Sequence, residues 1–394
     1  MNNILPYSRQ FIDRDDINEV AKVLKSDYLT QGPKLEKFET NFKKKVQSKY
    51  CLAISSATAG LHLSCLSLGL KSGDYLWTVP NSFVASANCG LYCGAKIDFV
   101  DIDEFTFNIN IALLKKKLVI AKKKNKIPKI LVVVHLAGSP IEVFKIKRLA
   151  KKYNFKIIED ASHAIGSKYN TFDKVGSCKW SDVTVFSLHP VKIITSGEGG
   201  VVTTNSKEIF LKIKLLRTHG IVRDKKHLSK KNNGFWYYEQ KYLGYNYRLS
   251  DIQAALGNSQ LKKISRFIKK RNEIVNFYKR KLNENNISFQ KITKNSFSSY
   301  HLCIIQFKKI KSVKTYNKLF EEFRKKKIMV NLHYLPIHLQ PIYRKMGFKK
   351  GQFKFSEKYA MKSFSIPVYP QLKKEELTYI IKTIKFLALK YDLL

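Results

Sequence analysis

Between residues 50 and 204, seven short apolar runs alternate with segments of helical periodicity. The runs are Tyr50–Ile54, Tyr75–Val79, Lys96–Val100, Ile130–His135, Lys156–Asp160, Val183–Phe186 and Gly200–Thr204. Helix-period segments at 59–68, 83–93 and 141–153 lie between several of them. A strand buried on both faces and followed by a helix pairs in parallel with the next strand through a crossover. The pattern therefore predicts an α/β fold, a mostly parallel seven-stranded sheet flanked by helices.

Two helices are expected ahead of the sheet, at 13–26 and near 34–48, joined by the loop "YLTQGP". After residue 250 the pattern changes. "SDIQAALGNSQLKKISRFIKKRNEIVNFYKRKL" reads as one long helix, with Ser250 as cap and Gln253 three residues on, the spacing of a capping box. The remainder has sparser strand and helix signals. This predicts a large domain over 1–260 and a smaller α+β domain over 261–394.

No apolar run is long enough to span a membrane, and the start "MNNILPYSRQ" lacks the charged-then-apolar order of a signal peptide. A cytoplasmic location is expected. The formal charge is +43, from 73 Lys and Arg against 30 Asp and Glu. The lysines run along the whole chain, and no zinc-finger or RNP-like motif accompanies them. The charge is therefore read as favouring encounter with anionic ligands such as nucleotides, with no nucleic-acid partner expected. A basic, non-enzymatic nucleic-acid-binding protein is the rival from a different class. The six cysteines, at 51, 65, 89, 93, 178 and 303, include no CxxC and no zinc spacing, so no metal site is expected. Cys89 and Cys93 share a helix face, and small buried thiols are the expected reading.

Chemistry gathers in four segments. "FSLHPVKIITSGEGGVV" (186–202) brings Ser187 to a strand end and Lys192 into a turn before glycines. "KIIEDASHAIG" (156–166) ends a strand on Asp160, with His163 three residues on. "AISSATAGLHL" (53–63) places Ser55, Ser56 and Thr58 at a helix start, where free N–H groups and the helix dipole favour an anion. "PNSFVASANC" (80–89) supplies Phe83, a flat apolar face. Each group alone has a plainer role: a solvated lysine, a strand-end cap, a core imidazole, a capped helix. Together they meet the needs of an aldehyde cofactor such as pyridoxal 5'-phosphate: an amine, a carboxylate for the ring nitrogen, a phosphate cradle and a surface for the ring.

With "YLTQGP", "LGYNYRLSDIQAALG" and "HYLPIHLQP", these segments resemble the DegT/DnrJ/EryC1/StrS family of nucleotide-sugar aminotransferases over most of the chain. The resemblance implies a fold-type-I pyridoxal-phosphate enzyme. It implies Lys192 as the lysine that holds the cofactor, Asp160 at its ring nitrogen and His163 at its ring oxygen. Ala57, Thr58 and Ser187 would serve the phosphate and Phe83 the ring face. Asn246 would reach the cofactor phosphate of a second subunit in a homodimer with shared sites. Tyr7, the loop residues Asp27, Tyr28, Leu29 and Thr30, and His333, Tyr334 and His338 match positions toward the sugar nucleotide, with Ala57, Ser187 and Asn246 also near it. The motifs lie closest to the branch that moves an amino group from L-glutamate to C4 of a UDP-linked 4-keto-6-deoxy-N-acetylhexosamine, toward pseudaminic acid. Another nucleotide-sugar aminotransferase, acting at C3 or on a GDP- or dTDP-linked sugar, is the nearer rival. A sister group of dehydratases carries histidine in place of the lysine; the presence of Lys192 implies transamination.

Overall fold

The computed structural model describes residues 3–224, 228–229, 234–282 and 285–394. The chain opens with β1 (Leu5–Pro6), α1 (Arg14–Leu24) and α2 (Pro33–Val46). Asp13 caps α1 through a reciprocal box with Asp16, and Pro33 starts α2, where a missing N–H costs nothing. Then follow β2 (Tyr50–Ile54), α3 (Ala57–Ser67), β3 (Tyr75–Thr78), α4 (Ala85–Leu91), β4 (Lys96–Phe99), α5 (Ile111–Lys123), β5 (Ile130–Val134), α6 (Val143–Tyr153), β6 (Lys156–Asp160), β7 (Val183–Ser187), β8 (Gly200–Thr204) and α7 (Lys207–Leu216).

The seven predicted strands form one seven-stranded sheet in the order β2-β8-β7-β6-β5-β3-β4. The pairings from β4 through β3, β5 and β6 to β7 are parallel. Only β8 runs backwards, antiparallel to both β7 and β2. Strands β5, β7 and β8 are buried along their whole length, as apolar runs covered on both faces must be. One core lies between the sheet and α3, α4 and α7, and others lie beneath α5, α6 and α2.

The reversal of β8 has a local purpose. It pairs Gly200 with Ile54 on one side and with Ser187 on the other. The ends of β2 and β7 and the start of β8 therefore meet at one edge, beyond which parallel sheets bind their ligands.

A small hairpin, β9 (Ile221–Val222) with β10 (Glu239–Gln240), precedes α8 (Asp251–Lys281). Ser250 and Gln253 form the predicted capping box. The first helical residue, Asp251, turns its carboxylate to the start of α2 and accepts from Gly32 N at 2.7 Å and Lys34 N at 2.9 Å. That single carboxylate fixes α2 against α8 and neutralises its N-terminal dipole. Beyond α8 come β11 (Ile287–Phe289), β12 (Cys303–Phe307), α9 (Val313–Lys325), β13 (Ile328–Met329), α10 (Pro341–Lys345), α11 (Lys354–Ala360), β14 (Ser363–Ile366) and α12 (Lys374–Lys390). Strands β11, β12 and β14 form an antiparallel sheet with its own core against α9 and α12. Leu5 joins that core, and β1 pairs in parallel with β13, so the N-terminus is stitched to the C-terminal region. We propose that the large and small domains divide within α8.

Among the described residues no helix is long and apolar enough to cross a membrane. The six cysteines are free, five of them buried and Cys93 partly so.

Candidate active site

A cavity of about 410 Å³ opens at the edge where β2, β7 and β8 meet. Lys192, Asp160, His163, Ser187, Thr58 and Phe83 line it, as do Tyr7, Ala57, His333 and Tyr334.

Lys192 sits in the connection between β7 and β8, a turn held at several points. Lys192 N donates to His189 O at 2.9 Å, and Leu188 N donates to Gly199 O at 2.9 Å across the base of the loop. Ser8 Oγ donates to Val191 O at 2.9 Å, and Ile193 and Ile194 anchor the far side in the core. The partly buried amine is thus delivered to the cavity by a rigid turn. Burial draws its pKa down to about 8, although the Asp160 carboxylate pulls the other way. An amine with that pKa is about one-tenth unprotonated at pH 7 and half at pH 8, far more than an ordinary lysine, as suits a nucleophile or proton carrier.

Asp160 ends β6 and is buried. Its Oδ2 accepts from Ser86 Oγ at 2.6 Å, and its Oδ1 accepts from Ser162 Oγ at 2.6 Å and Ser162 N at 3.1 Å. Ser86 is in turn 2.8 Å from Ser82, which lines the cavity. These three hydrogen bonds fix both oxygens of the carboxylate at the edge of the cavity.

His163 Nδ1 accepts from Ala137 N at 3.2 Å. Burial, and then the charge of Lys192, holds its pKa well below the usual imidazole value. The neutral ring therefore carries its proton on Nε2 and donates it to Tyr334 Oη, 3.1 Å away. His333 is held neutral in the same way, its pKa drawn down to about 3 by burial and by Lys192. Its Nδ1 meets Ser365 Oγ at 2.8 Å and its ring meets the edge of Tyr7.

The anion cradle differs in detail from the sequence expectation. Ser56 spends its hydroxyl on capping α3, accepting from Ala59 N at 3.1 Å. Ser55 lies outside the cavity lining, its N–H bonded to Tyr247 O. The start of α3 at Ala57 and Thr58 faces the cavity, with Ser187 across from it. Gly200 closes this corner: a Cβ there would come within 2.6 Å of Ala57 N, so only glycine lets β8 approach the helix start. Phe83 is 55% exposed, its ring tilted toward Tyr334 at 5.8 Å, and so has a free face at the cavity.

Three expectations fall outside the cavity formed by their own chain. His338 is buried in a 3₁₀ turn, where its Nε2 meets Glu357 Oε1 at 2.9 Å and its ring packs on Phe353. It braces the small helices rather than facing the site. Asp27, Tyr28, Leu29 and Thr30 form an exposed loop whose backbone bonds the start of α8, with Leu29 O accepting from Asp251 N. Asn246 is exposed on a segment bridged to Thr218.

The structure also brings in residues that the sequence reading passed over. Ser82 and Ser86 sit four apart in a segment already singled out for Phe83, and helical spacing was their signal. His301 carried none. It is 1% exposed, lines the cavity, and tilts against His163 with ring centroids 4.4 Å apart. Arg271, a buried cation whose pKa burial pulls down to about 9, holds the backbone there by donating to the carbonyls of His301 at 3.1 Å and Val368 at 2.7 Å.

The donor set fits pyridoxal phosphate: a low-pKa amine, a buried carboxylate, a glycine-lined helix start and an aromatic face share one cavity. Comparison with known proteins agrees. Residues 10–385 match the model of the DegT/DnrJ/EryC1/StrS aminotransferase family. A UDP-4-amino-4,6-dideoxy-N-acetyl-beta-L-altrosamine transaminase of Campylobacter jejuni is 39% identical over 383 residues, covering 97% of this chain and 96% of the relative. Helicobacter pylori PseC, an aminotransferase involved in the biosynthesis of pseudoaminic acid, superposes with a TM-score of 0.88 at 31% identity, covering 98% of this chain and 99% of PseC. Spr1654 from Streptococcus pneumoniae in its PLP-form superposes with a TM-score of 0.88 at 27% identity, covering 98% of this chain and 99% of that structure.

Proposed function

Because the chain belongs to the DegT/DnrJ/EryC1/StrS aminotransferase family, a family of pyridoxal-phosphate enzymes, we propose that it moves an amino group from L-glutamate to C4 of a UDP-linked 4-keto-6-deoxy-N-acetylhexosamine. The product would be UDP-4-amino-4,6-dideoxy-N-acetyl-beta-L-altrosamine, made in the cytoplasm for pseudaminic acid. The observation that carries the substrate choice is the end-to-end identity with the Campylobacter enzyme.

The bound cofactor supplies an aldehyde for the amino group and a ring that accepts electrons as a C–H bond breaks. Lys192 is the residue for its aldehyde, Asp160 for its ring nitrogen and His163 for its ring oxygen. Ala57, Thr58 and Ser187 are the residues for its phosphate, with Phe83 against its face. Lys192 Nζ then works as the proton carrier. Once unprotonated it takes the proton from the α-carbon of glutamate, and in the second half-reaction it gives one to C4 of the sugar. Asp160, its carboxylate held by three donors, keeps its place through both. The neutral His163 and His333 keep the rest of the wall from competing with Lys192 as proton acceptors above pH 7. Tyr7, His333 and Tyr334 form the wall facing the sugar. Asn246 and the Asp27–Thr30 loop serve the site of a second subunit, which makes the homodimer the working unit.

The test is direct. The loaded enzyme, given glutamate and the UDP-4-keto sugar, should yield 2-oxoglutarate and a UDP-sugar of the amino-sugar mass. Turnover of GDP- or dTDP-linked keto-sugars without the UDP-linked one would overturn the substrate. A colourless protein with tight, salt-sensitive RNA binding would overturn the class.

A further inference from the structure

Arg271 lies on α8, outside the cavity lining, and is 1% exposed. No carboxylate among the described residues neutralises it, and its Nε is buried without a hydrogen-bond partner. Its guanidinium serves backbone alone. Nη1 donates to Val368 O at 2.7 Å, His301 O at 3.1 Å and Tyr300 O at 3.4 Å. A buried cation held only by carbonyls carries a desolvation cost that an apolar side chain of similar size avoids. Stability alone therefore gives little reason for an arginine here.

Each segment that Arg271 holds leads to one wall of the site. On one side, Val368 N donates to Tyr7 O at 3.0 Å. The next residue, Ser8, is buried, and its Oγ donates to Val191 O at 2.9 Å, beside Lys192. On the other side, Ser299 Oγ donates to His163 O at 3.3 Å, and the His301 ring lies 4.4 Å from that of His163. Leu302 N donates to Ala137 O at 3.4 Å, and Ala137 N donates in turn to His163 Nδ1 at 3.2 Å. One guanidinium thus stands at the root of two short chains of contacts, one ending at the Lys192 turn and the other at His163.

We propose that Arg271 is a positioning residue for the reaction: by holding Val368 and the Tyr300–His301 segment to one point, it fixes the Lys192 turn and His163 at their working separation. It touches neither substrate nor cofactor and acts through Tyr7 and Ser8 and through Ser299 to Leu302. The inference rests on the roles given above to Lys192 and His163, and goes beyond them in naming what holds the two in place. A displacement of about 1 Å at a reacting group can cost on the order of a hundredfold in rate, so a remote anchor of this kind is felt at the site.

The test reads Lys192 without the sugar. Apoprotein is mixed with pyridoxal phosphate and its capture followed by stopped-flow absorbance; loaded protein is given glutamate in deuterium oxide and loss of the α-proton followed by NMR. In Arg271→Met both rates should fall about tenfold, with Tm within about 5 °C of wild type. Arg271→Lys keeps an ammonium near the carbonyls without the reach of the guanidinium. It should be slowed about threefold at unchanged Tm, and it carries the test if the methionine variant does not fold. Ser8→Ala breaks the last link to the Lys192 turn and should slow capture about threefold; combined with an Arg271 variant it should add little, since both act along one path. Wild-type capture rates in the Arg271 variants would overturn the proposal. So would rates that fall only with the folded fraction seen by circular dichroism, or Ser8 and Arg271 effects that simply multiply. A wild type that captures the cofactor but leaves the α-proton in place would sink the proposed reaction instead, and the capture rates would still decide the role of Arg271.

Discussion

Tyr334 Oη lies 3.1 Å from Nε2 of His163, and the Ala137 N–H on the far side of that imidazole decides which partner donates. The histidine gives its only proton to the phenol, which leaves the phenolic hydrogen free to point into the cavity. Burial keeps Tyr334 protonated by raising its pKa far above the usual range. Replacing Tyr334 by Phe should keep the ring packing and leave Nε2–H unpaired. The expected result is a kcat about tenfold lower, or ~1.4 kcal/mol in the barrier, with an unchanged circular dichroism spectrum. Full activity of Tyr334→Phe would show that this hydroxyl plays no part.

Lys192 makes two linked predictions. Lys192→Ala should show no turnover and no cofactor mass fixed to the chain by borohydride, while still binding the cofactor reversibly. In the wild-type apoprotein only the unprotonated amine attacks an aldehyde. The rate of cofactor capture should therefore rise with pH and level off above about 8, the pKa that burial imposes. A stopped-flow absorbance series across pH 6–10 reads this, and a curve still climbing at pH 10 would contradict it.

The three buried histidines of the wall set an acid limit on stability. Burial lowers the pKa of His333 to about 3 and holds His163 and His301 well below the ordinary value of 6.5. Above pH 6.5 these rings are neutral whether the chain is folded or not, and they contribute no slope. Below it the unfolded chain takes up protons that the folded chain refuses, so stability falls as pH falls. His333 alone should remove about 1.4 kcal/mol per pH unit below 6.5, with the other two acting in the same direction. From pH 6.5 to 5.5, where the unfolded imidazole goes from half to nearly fully protonated, urea titrations should show wild type losing about 1 kcal/mol more than His333→Phe.

His338 should behave as a brace. His338→Ala removes the buried partner of Glu357 and should lower stability by about 1–3 kcal/mol. The KM for the sugar nucleotide should stay within about twofold of wild type. A large rise in KM with no loss of melting temperature would return His338 to the substrate.

Asn246 tests the shared site. Asn246→Ala should loosen cofactor retention, measured by dialysis and absorbance, without changing the dimer mass in sedimentation. A fully active monomer would remove the need for a second subunit.

The large-domain sheet was legible because each of its strands is an apolar run closed by a turn or a carboxylate, and covered strands have no other composition. That Lys192, Asp160 and His163 share one cavity was also legible, since each sits at or just past the end of a strand that the sheet brings to one edge. His301 was not. A lone imidazole in "SSYHLCII" has many possible surroundings, and its place depends on Arg271, thirty residues earlier in α8. His338 shows the opposite hazard. It follows His333 and Tyr334 by a few residues, but the 3₁₀ turn rotates it away from the cavity, and proximity along the chain says nothing of such a rotation. The Ser82–Ser86 link to Asp160 joins two segments that were each read for a different residue.

Strand β8 runs against its neighbours, and the loop carrying Lys192 is therefore clamped at both feet, by Ser187 leaving the sheet and Gly200 re-entering beside it. A crossover would have let the amine drift with a distant helix; a return hairpin does not. Its length is consequently a fixed dimension of the enzyme. Lengthening or trimming the loop should misplace the nucleophile even where every residue that touches a ligand is kept.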